Sequence, residues 1–444
     1  MLNRFGAGLI IFGLVAVLFK VMGMQLATPM TAETLAWNKL PLFQLPSEPD
    51  STAEAIMRQY LQDLRAKGAK EQNQGIWMQS GIRRLASNQD KVPLSAASFT
   101  KIATTIAALD KWAPSYQFET LVSATAPVKE GILQGDLVIT GSGDPFFVWE
   151  EAIALGNSLQ ELGIKRVTGN LVIAGDFYMN FKQDPVTAGQ LLKQGLDSRI
   201  WTAAATAQYS KMPPGTPKPE VEIAGEVKVA TTPISQTSLL LRHRSLPLTD
   251  ILREMNIYSN NVMAQMLADA VGGAQNVSQV AAKLANVPSD EIQLINGSGL
   301  GVANRISPRA ACAMLMAMEY FLQPHQLTVA DLFPVAGRDK GGTMEDRNIP
   351  TGTAVKTGTL NQVSALAGIM PTRDRDSVCF AIINNNSGDI LSLRKQQDQL
   401  LGKLSQAWGI PSNADISTTH SPGRLGDPNR NERLTTQATG NRQQ

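Results

Sequence analysis

Histidine is scarce in this chain, with three copies at positions 243, 325 and 420, and no Gly-x-Ser-x-Gly elbow accompanies them. A Ser-His-Asp hydrolase is thereby excluded, because its nucleophile needs a histidine base beside an exposed serine turn. Cysteine is scarcer still. Cys312 and Cys379 stand in apolar stretches and there is neither a Cys-x-x-Cys nor a His-Glu-x-x-His. Both cysteines read as small core residues outside any disulfide framework, and neither a metal nor another cofactor is expected. A surplus of one charge sign is also missing: the net charge is +2 and no basic stripe runs along the sequence, which argues against nucleic acid as a partner. The isolated Arg242-His243-Arg244 cluster reads as a solvated strand end.

What is present is an ordinary globular composition, 43% hydrophobic and 18% charged over 444 residues, enough for two or three domains with a large core. Residues 1–30 differ from the rest. Arg4 precedes an apolar run from Ala7 to Phe19, of the length of a signal-peptide core and short for a membrane span. This is an export signal, either cleaved or kept as a membrane anchor. Residues 31–52, rich in Pro, Thr and Ser, form a linker. Helical spacing is expected over Ala53–Ala66, Ser98–Trp112, Leu248–Met255, Val262–Val271, Ser307–Phe321 and Leu391–Trp408. Strands are expected at Gly75–Ser80, Ile82–Ala86, Gly352–Leu360, Val363–Met370 and Val378–Asn384, the last three as an antiparallel meander.

Between Tyr116 and Leu240 the chain is strand-rich and punctuated by glycine. Gly135-Asp-Leu-Val-Ile-Thr-Gly141 is echoed 34 residues later by Gly169-Asn-Leu-Val-Ile-Ala-Gly175, with a helical stretch, Val148–Leu162, between them. Two similar strands joined through one helix suggest a β-α-β module. The Gly141-Ser-Gly-Asp-Pro145 stretch lacks the Walker lysine and the dinucleotide spacing, and reads as a tight turn. Beyond Ser412 there is no aromatic residue and no valine, so residues 411–444 are expected to be disordered.

Three short motifs carry chemistry: Ser98-Phe-Thr-Lys101, Ser259-Asn-Asn261 and Lys356-Thr-Gly358. Three residues apart at a helix start, Ser98 and Lys101 share one face, and the helix dipole favours a developing alkoxide. A lysine enclosed by apolar neighbours loses solvation and its pKa falls, which equips it as a base. Ser259 and Asn261, two apart in a helix-to-helix joint, can relay a proton and hold a substrate amide. Lys356 and Thr357 point to opposite faces of a strand, while Gly358 lets a substrate backbone approach closely. If that strand lies at a sheet edge, an extended peptide can be added alongside it. Taken singly, each motif also fits a capping serine, a polar joint or an exposed strand end.

Together the motifs resemble the active site of penicillin-binding proteins and serine β-lactamases. The stretches Gly135–Pro145, Asn296-Gly-Ser-Gly-Leu300, Asn304-Arg-Ile-Ser-Pro308 and Gly337–Thr343 resemble one branch in particular, the class C low-molecular-mass penicillin-binding proteins, which are D-alanyl-D-alanine carboxypeptidases and endopeptidases. The resemblance implies an α+β fold: a catalytic domain of antiparallel sheet flanked by helices (53–115 and 241–410), interrupted by an inserted α/β domain (116–240). It implies Ser98 as nucleophile, Lys101 as general base and Ser259 as proton shuttle. Asn261 would orient the acyl-side amide, Lys356 and Thr357 would recognise a terminal carboxylate, and Ser98 and Thr359 would supply the oxyanion hole, with Gly358 between. The implied partners are peptidoglycan stem peptides and β-lactams as covalent inhibitors, in the periplasm, with contact to the inner membrane through the N-terminal segment if it is uncleaved. Ala96 stands where proline is common in the family, and Lys340 and Gly341 lengthen its Gly-Arg-Asp-Gly-Thr stretch. The 161 residues from Ser98 to Ser259 exceed what a compact β-lactamase needs, and no Glu-x-x-x-Asn segment offers a deacylating base between Lys101 and Ser259. A β-lactamase and a non-catalytic cell-wall-binding protein of the same fold remain the rival readings.

Overall fold

The computed structural model describes residues 49–232, 234–386, 388–411 and 422–434. The expected leader, most of the linker and the outer parts of the tail lie outside these residues. Asp50 caps helix α1 (Ser51–Ala66) by accepting from the Ala53 amide at 3.0 Å. Strands β1 (Gln74–Ser80) and β2 (Arg83–Asn88) follow as a hairpin, then a short 3-10 turn, Ala97–Phe99, leading into α2 (Thr100–Lys111). The next stretch runs through β3 (Glu119–Ala124), β4 (Leu137–Ser142), α3 (Trp149–Glu161), β5 (Leu171–Asp176), β6 (Val227–Val229) and β7 (Ser238–Arg244). The chain returns with α4 (Leu248–Ile257), α5 (Asn261–Ala270), α6 (Gly273–Leu284) and α7 (Pro308–Leu322). Strands β8 (Ala354–Leu360), β9 (Val363–Pro371) and β10 (Ser377–Asn385), helix α8 (Ile390–Trp408) and a last strand, β11 (Asn431–Arg433), complete the described chain.

The expected meander is there. Strands β8, β9, β10, β1 and β2 form one antiparallel sheet in that order, with β8 at its edge. Alternation along β8 divides two cores. Ala354, together with Ala365, Ala367 and Ala381 on the neighbouring strands, joins α2, α4, α5 and α7 on one face. Val355, with Leu366, Phe380 and Ile382, packs under α1 and α8 on the other.

The repeat seen in the sequence is a physical pair. Strands β4 and β5 run parallel with Leu137 opposite Leu171 and Ser142 opposite Asp176, the same 34-residue offset, joined through α3. Glycine stands next to last in both strands because the backbones touch: a Cβ on Gly175 would stand 2.5 Å from the Gly141 carbonyl oxygen. The sheet order is β6-β5-β4-β3-β7-β11.

Three expectations are corrected. Cys312 and Cys379 are core residues, but they are bonded to each other, tying α7 to β10 across 67 residues of chain. Neighbouring apolar stretches hid this, since pairing depends on the two Cα atoms coming within 5.9 Å. The Arg242-His243-Arg244 strand end is solvated only in part, with Arg244 exposed and Arg242 half-buried. It lies in β7 between β3 and β11, and His243 is fully buried with Nδ1 2.7 Å from Asn431 Oδ1. Burial holds the His243 imidazole below its usual pKa. Finally, the tail is not wholly disordered. Strand β11 pairs with β7, and Arg430 reaches the buried Glu151 of α3. Composition missed it because its ordering comes from edge pairing and one buried ion pair rather than from apolar burial.

Candidate active site

The site forms where the 3-10 turn, the α4–α5 joint and edge strand β8 meet. Two residues in the left-handed region mark the sharp bends: Ala97, with φ of 47°, precedes the nucleophile, and Ser259, with φ of 51°, lies between α4 and α5. Non-glycine residues hold that conformation only where surrounding structure imposes it. Asn260 imposes part of it by capping α5, accepting from the Val262 and Met263 amides at 3.0 and 3.1 Å. The Gly337–Thr343 stretch packs against the same joint: Thr343 Oγ1 donates to the Ile257 carbonyl at 3.2 Å.

Lys101 is fully buried and its Nζ has three oxygen neighbours: Asn261 Oδ1 and the Ser298 carbonyl, each at 2.7 Å, and Ser98 Oγ at 3.1 Å. Burial pushes the Lys101 pKa down to about 7. A neutral amine has two hydrogens and one lone pair. An amide oxygen and a carbonyl can only accept, so they take the two hydrogens, and the lone pair is left facing the Ser98 hydroxyl. The geometry therefore orients a base as well as holding one.

Lys356 is likewise fully buried, donating to Ser259 Oγ at 3.2 Å and to the Thr357 carbonyl at 3.0 Å. Burial, with the nearby Lys101 adding to it, lowers its pKa well below the usual lysine value. Gly358 meets the nucleophile's backbone: a Cβ there would stand 2.8 Å from the Ala96 carbonyl and 3.1 Å from the Ser98 amide nitrogen. Thr357 is buried and shares a face with Thr359, which is exposed at the open end of the strand. All eight residues singled out in the sequence thus belong to the motif segments that converge here.

Sequence reasoning missed Ser298, although it had singled out the stretch containing it. The Asn296 side chain folds that loop by accepting from the Ser298 and Gly299 amides at 3.2 and 2.7 Å. The buried Asn304 then ties it to the nucleophile turn, accepting from Ile295 N at 2.9 Å while its own carbonyl accepts from Ala96 N at 2.9 Å. A backbone carbonyl has no sequence signature, which is why Ser298 escaped notice. Among the described residues no cluster of His, Cys, Asp and Glu is arranged to hold a metal.

The sequence pattern of the D-Ala-D-Ala carboxypeptidase 3 (S13) family matches residues 57–208 and 216–406. A carboxypeptidase of Mycobacterium tuberculosis is 26% identical over 368 residues, covering 71% of this chain and 76% of that protein. The D-alanyl-D-alanine carboxypeptidase DacB of Haemophilus influenzae is 24% identical over 403 residues, covering 68% and 83%. A shorter match, 34% identical to a carboxypeptidase of Mycolicibacterium smegmatis, spans 35% of that relative's length. Among solved structures, a peptidoglycan endopeptidase of Bdellovibrio bacteriovorus superposes with a TM-score of 0.67 at 20% identity, covering 81% of this chain and 98% of that one. Penicillin-binding protein 4 of Haemophilus influenzae superposes with a TM-score of 0.59 at 19% identity, covering 78% and 98%. Both show the same fold.

Proposed function

This chain belongs to the D-Ala-D-Ala carboxypeptidase 3 (S13) family, and from that membership we propose that it hydrolyses the D-alanyl-D-alanine bond of peptidoglycan stem peptides through an acyl-enzyme on Ser98. The observation that carries the proposal is Lys101 Nζ held among Asn261 Oδ1, the Ser298 carbonyl and Ser98 Oγ, an arrangement that in the neutral amine leaves the lone pair for the Ser98 proton. Lys101 takes the Ser98 proton as Oγ attacks the scissile carbonyl. The backbone amides of Ser98 and Thr359 hold the developing oxyanion, the electrostatic term that contributes most in such reactions. Ser259, polarised by Lys356, relays the proton that Lys101 took from Ser98 to the nitrogen of the departing D-alanine, so that Lys101 is neutral again. Asn261 orients the acyl-side amide, and Thr357 and Thr359 receive the terminal carboxylate. Water then releases the acyl group.

β-Lactams acylate the same serine in this reading. Export is supported by the signal-like first thirty residues and by the Cys312–Cys379 bond, since disulfides persist in oxidising compartments. No helix among the described residues is long and apolar enough to cross a membrane. A fluorescent penicillin should label the wild-type protein and leave Ser98→Ala unlabelled. Equal labelling of both, or of neither, refutes Ser98 as nucleophile. Defined muropeptides then separate release of free D-alanine from cleavage of a cross-link.

A further inference from the structure

Arg394, on helix α8, sends Nη2 to Thr359 Oγ1 at 2.9 Å, across the open end of edge strand β8. Its neighbours explain why that guanidinium carries a surplus charge. Asp398, one turn further along α8, is engaged by Arg347, whose Nε and Nη2 donate to its Oδ1 at 3.0 and 2.6 Å, and by the Asn348 amide. Gln397 is committed to Ser364, the cross-strand partner of Thr359. Among the described residues no carboxylate lies within ion-pair distance of Arg394, and its bond to Thr359 uses one of five N–H donors. A half-buried guanidinium held against an exposed hydroxyl, with donors to spare, is built to receive an anion.

The position relative to the chemistry identifies the anion. Gly358 is in van der Waals reach of the Ser98 amide nitrogen, and Thr359 is the next residue along the strand. In a D-alanyl-D-alanine terminus the carboxylate likewise lies one residue, about 3.5 Å, beyond the carbonyl that is attacked. Lys356 is poorly placed to supply the countercharge. It is fully buried and its amine is committed to Ser259 and the Thr357 carbonyl. We propose that Arg394, together with Thr359 Oγ1, reads the carboxylate that lies one residue beyond the scissile carbonyl of the substrate. The proposal rests on the carboxypeptidase reading above and adds a specificity residue to it. Arg394 positions substrate and takes no part in proton transfer.

The test compares two peptides with the full-length protein: one ending in D-Ala-D-Ala with a free carboxylate, the other with the same terminus as a carboxamide. Wild type is expected to prefer the acid. Arg394→Ala should raise KM for the acid about tenfold to a hundredfold, the range of one charge-assisted hydrogen bond, with kcat little changed and cleavage of the amide unaltered. Arg394→Lys should recover part of the loss, since a cation returns without its fork geometry. Retained activity on the amide also shows that the variant is folded. Equal losses on both peptides, or an unchanged KM for the acid, overturn the assignment of Arg394. A wild-type protein that cleaves neither peptide and takes up no penicillin instead overturns the carboxypeptidase reading, and this inference with it.

Discussion

At the residue scale, the consequential fact is that two lysines are buried without a carboxylate partner in the bonds described for them. Lys101 carries its proton only below about pH 7, so its lone pair is available to Ser98 above that value. The rate constant for acylation by a penicillin should therefore fall about tenfold per pH unit below pH 7 and level off above it. A limb centred near pH 10 would show that Lys101 is not the base. Stability follows from the same shift. Between about pH 7 and 10.5 the unfolded chain binds a proton at this lysine that the folded protein has shed, so stability rises with pH across that window, by up to about 1.4 kcal/mol per unit. Lys101→Met should abolish acylation yet raise the melting temperature at pH 7. The gain should shrink toward pH 10, which a pair of melting series at the two pH values would check.

At the scale of elements, the site is an accommodation between backbones that leaves no room for Cβ atoms. Gly299 has φ of +84°, and a Cβ on it would stand 1.9 Å from the Ala97 carbonyl oxygen. That carbonyl belongs to the turn presenting Ser98, and the adjacent Ser298 carbonyl fixes Lys101. Gly299→Ala should thus cost about 2–4 kcal/mol of stability and slow penicillin acylation further than the loss of folded protein explains. Denaturant titration and labelling rate, measured on the same preparation, separate the two effects. Near-native labelling by a fully folded Gly299→Ala would mean that the turn and the loop are not coupled. Strand β8 owes its accessibility to being an edge, and α8 crosses the end of that edge with Arg394.

For the whole molecule, two long-range ties hold distant parts of the chain. The Cys312–Cys379 bond closes a loop of 67 residues, worth about 4 kcal/mol in the chain-entropy description. Reduction should lower the urea midpoint accordingly while leaving the site's hydrogen bonds in place, so acylation at low denaturant should persist. The second tie is the C-terminal segment. Arg430 pairs with Glu151, whose side chain is 2% exposed, at 2.5 Å. Removing the guanidinium leaves a buried carboxylate beside His243 and the Gly426 amide, with no cation fixed to it among the described residues. Arg430→Ala should cost about 3–5 kcal/mol, and the loss should be far smaller in a Glu151→Gln background. Equal losses in both backgrounds would show that the ion pair is not the source.

Much was legible in the linear chain because much of it is local. Helix and strand periods, the 34-residue echo that became the β4–β5 pair, and the three motifs all depend on residues within a few positions of each other. Spacing alone put Lys101 one turn from Ser98 and marked Lys356-Thr-Gly as a strand. What the chain could not state was any relation set by long-range packing. The Cys312–Cys379 bond, the burial of His243 beneath β11, the Ser298 carbonyl on Lys101 and the reach of Arg394 to Thr359 join residues 35 to 197 positions apart. Residue type and spacing determined which groups could do acyl transfer. Only the folded chain decided which way the Lys101 lone pair points and which cation stands open to a carboxylate, because both follow from distances that arise when separate elements pack.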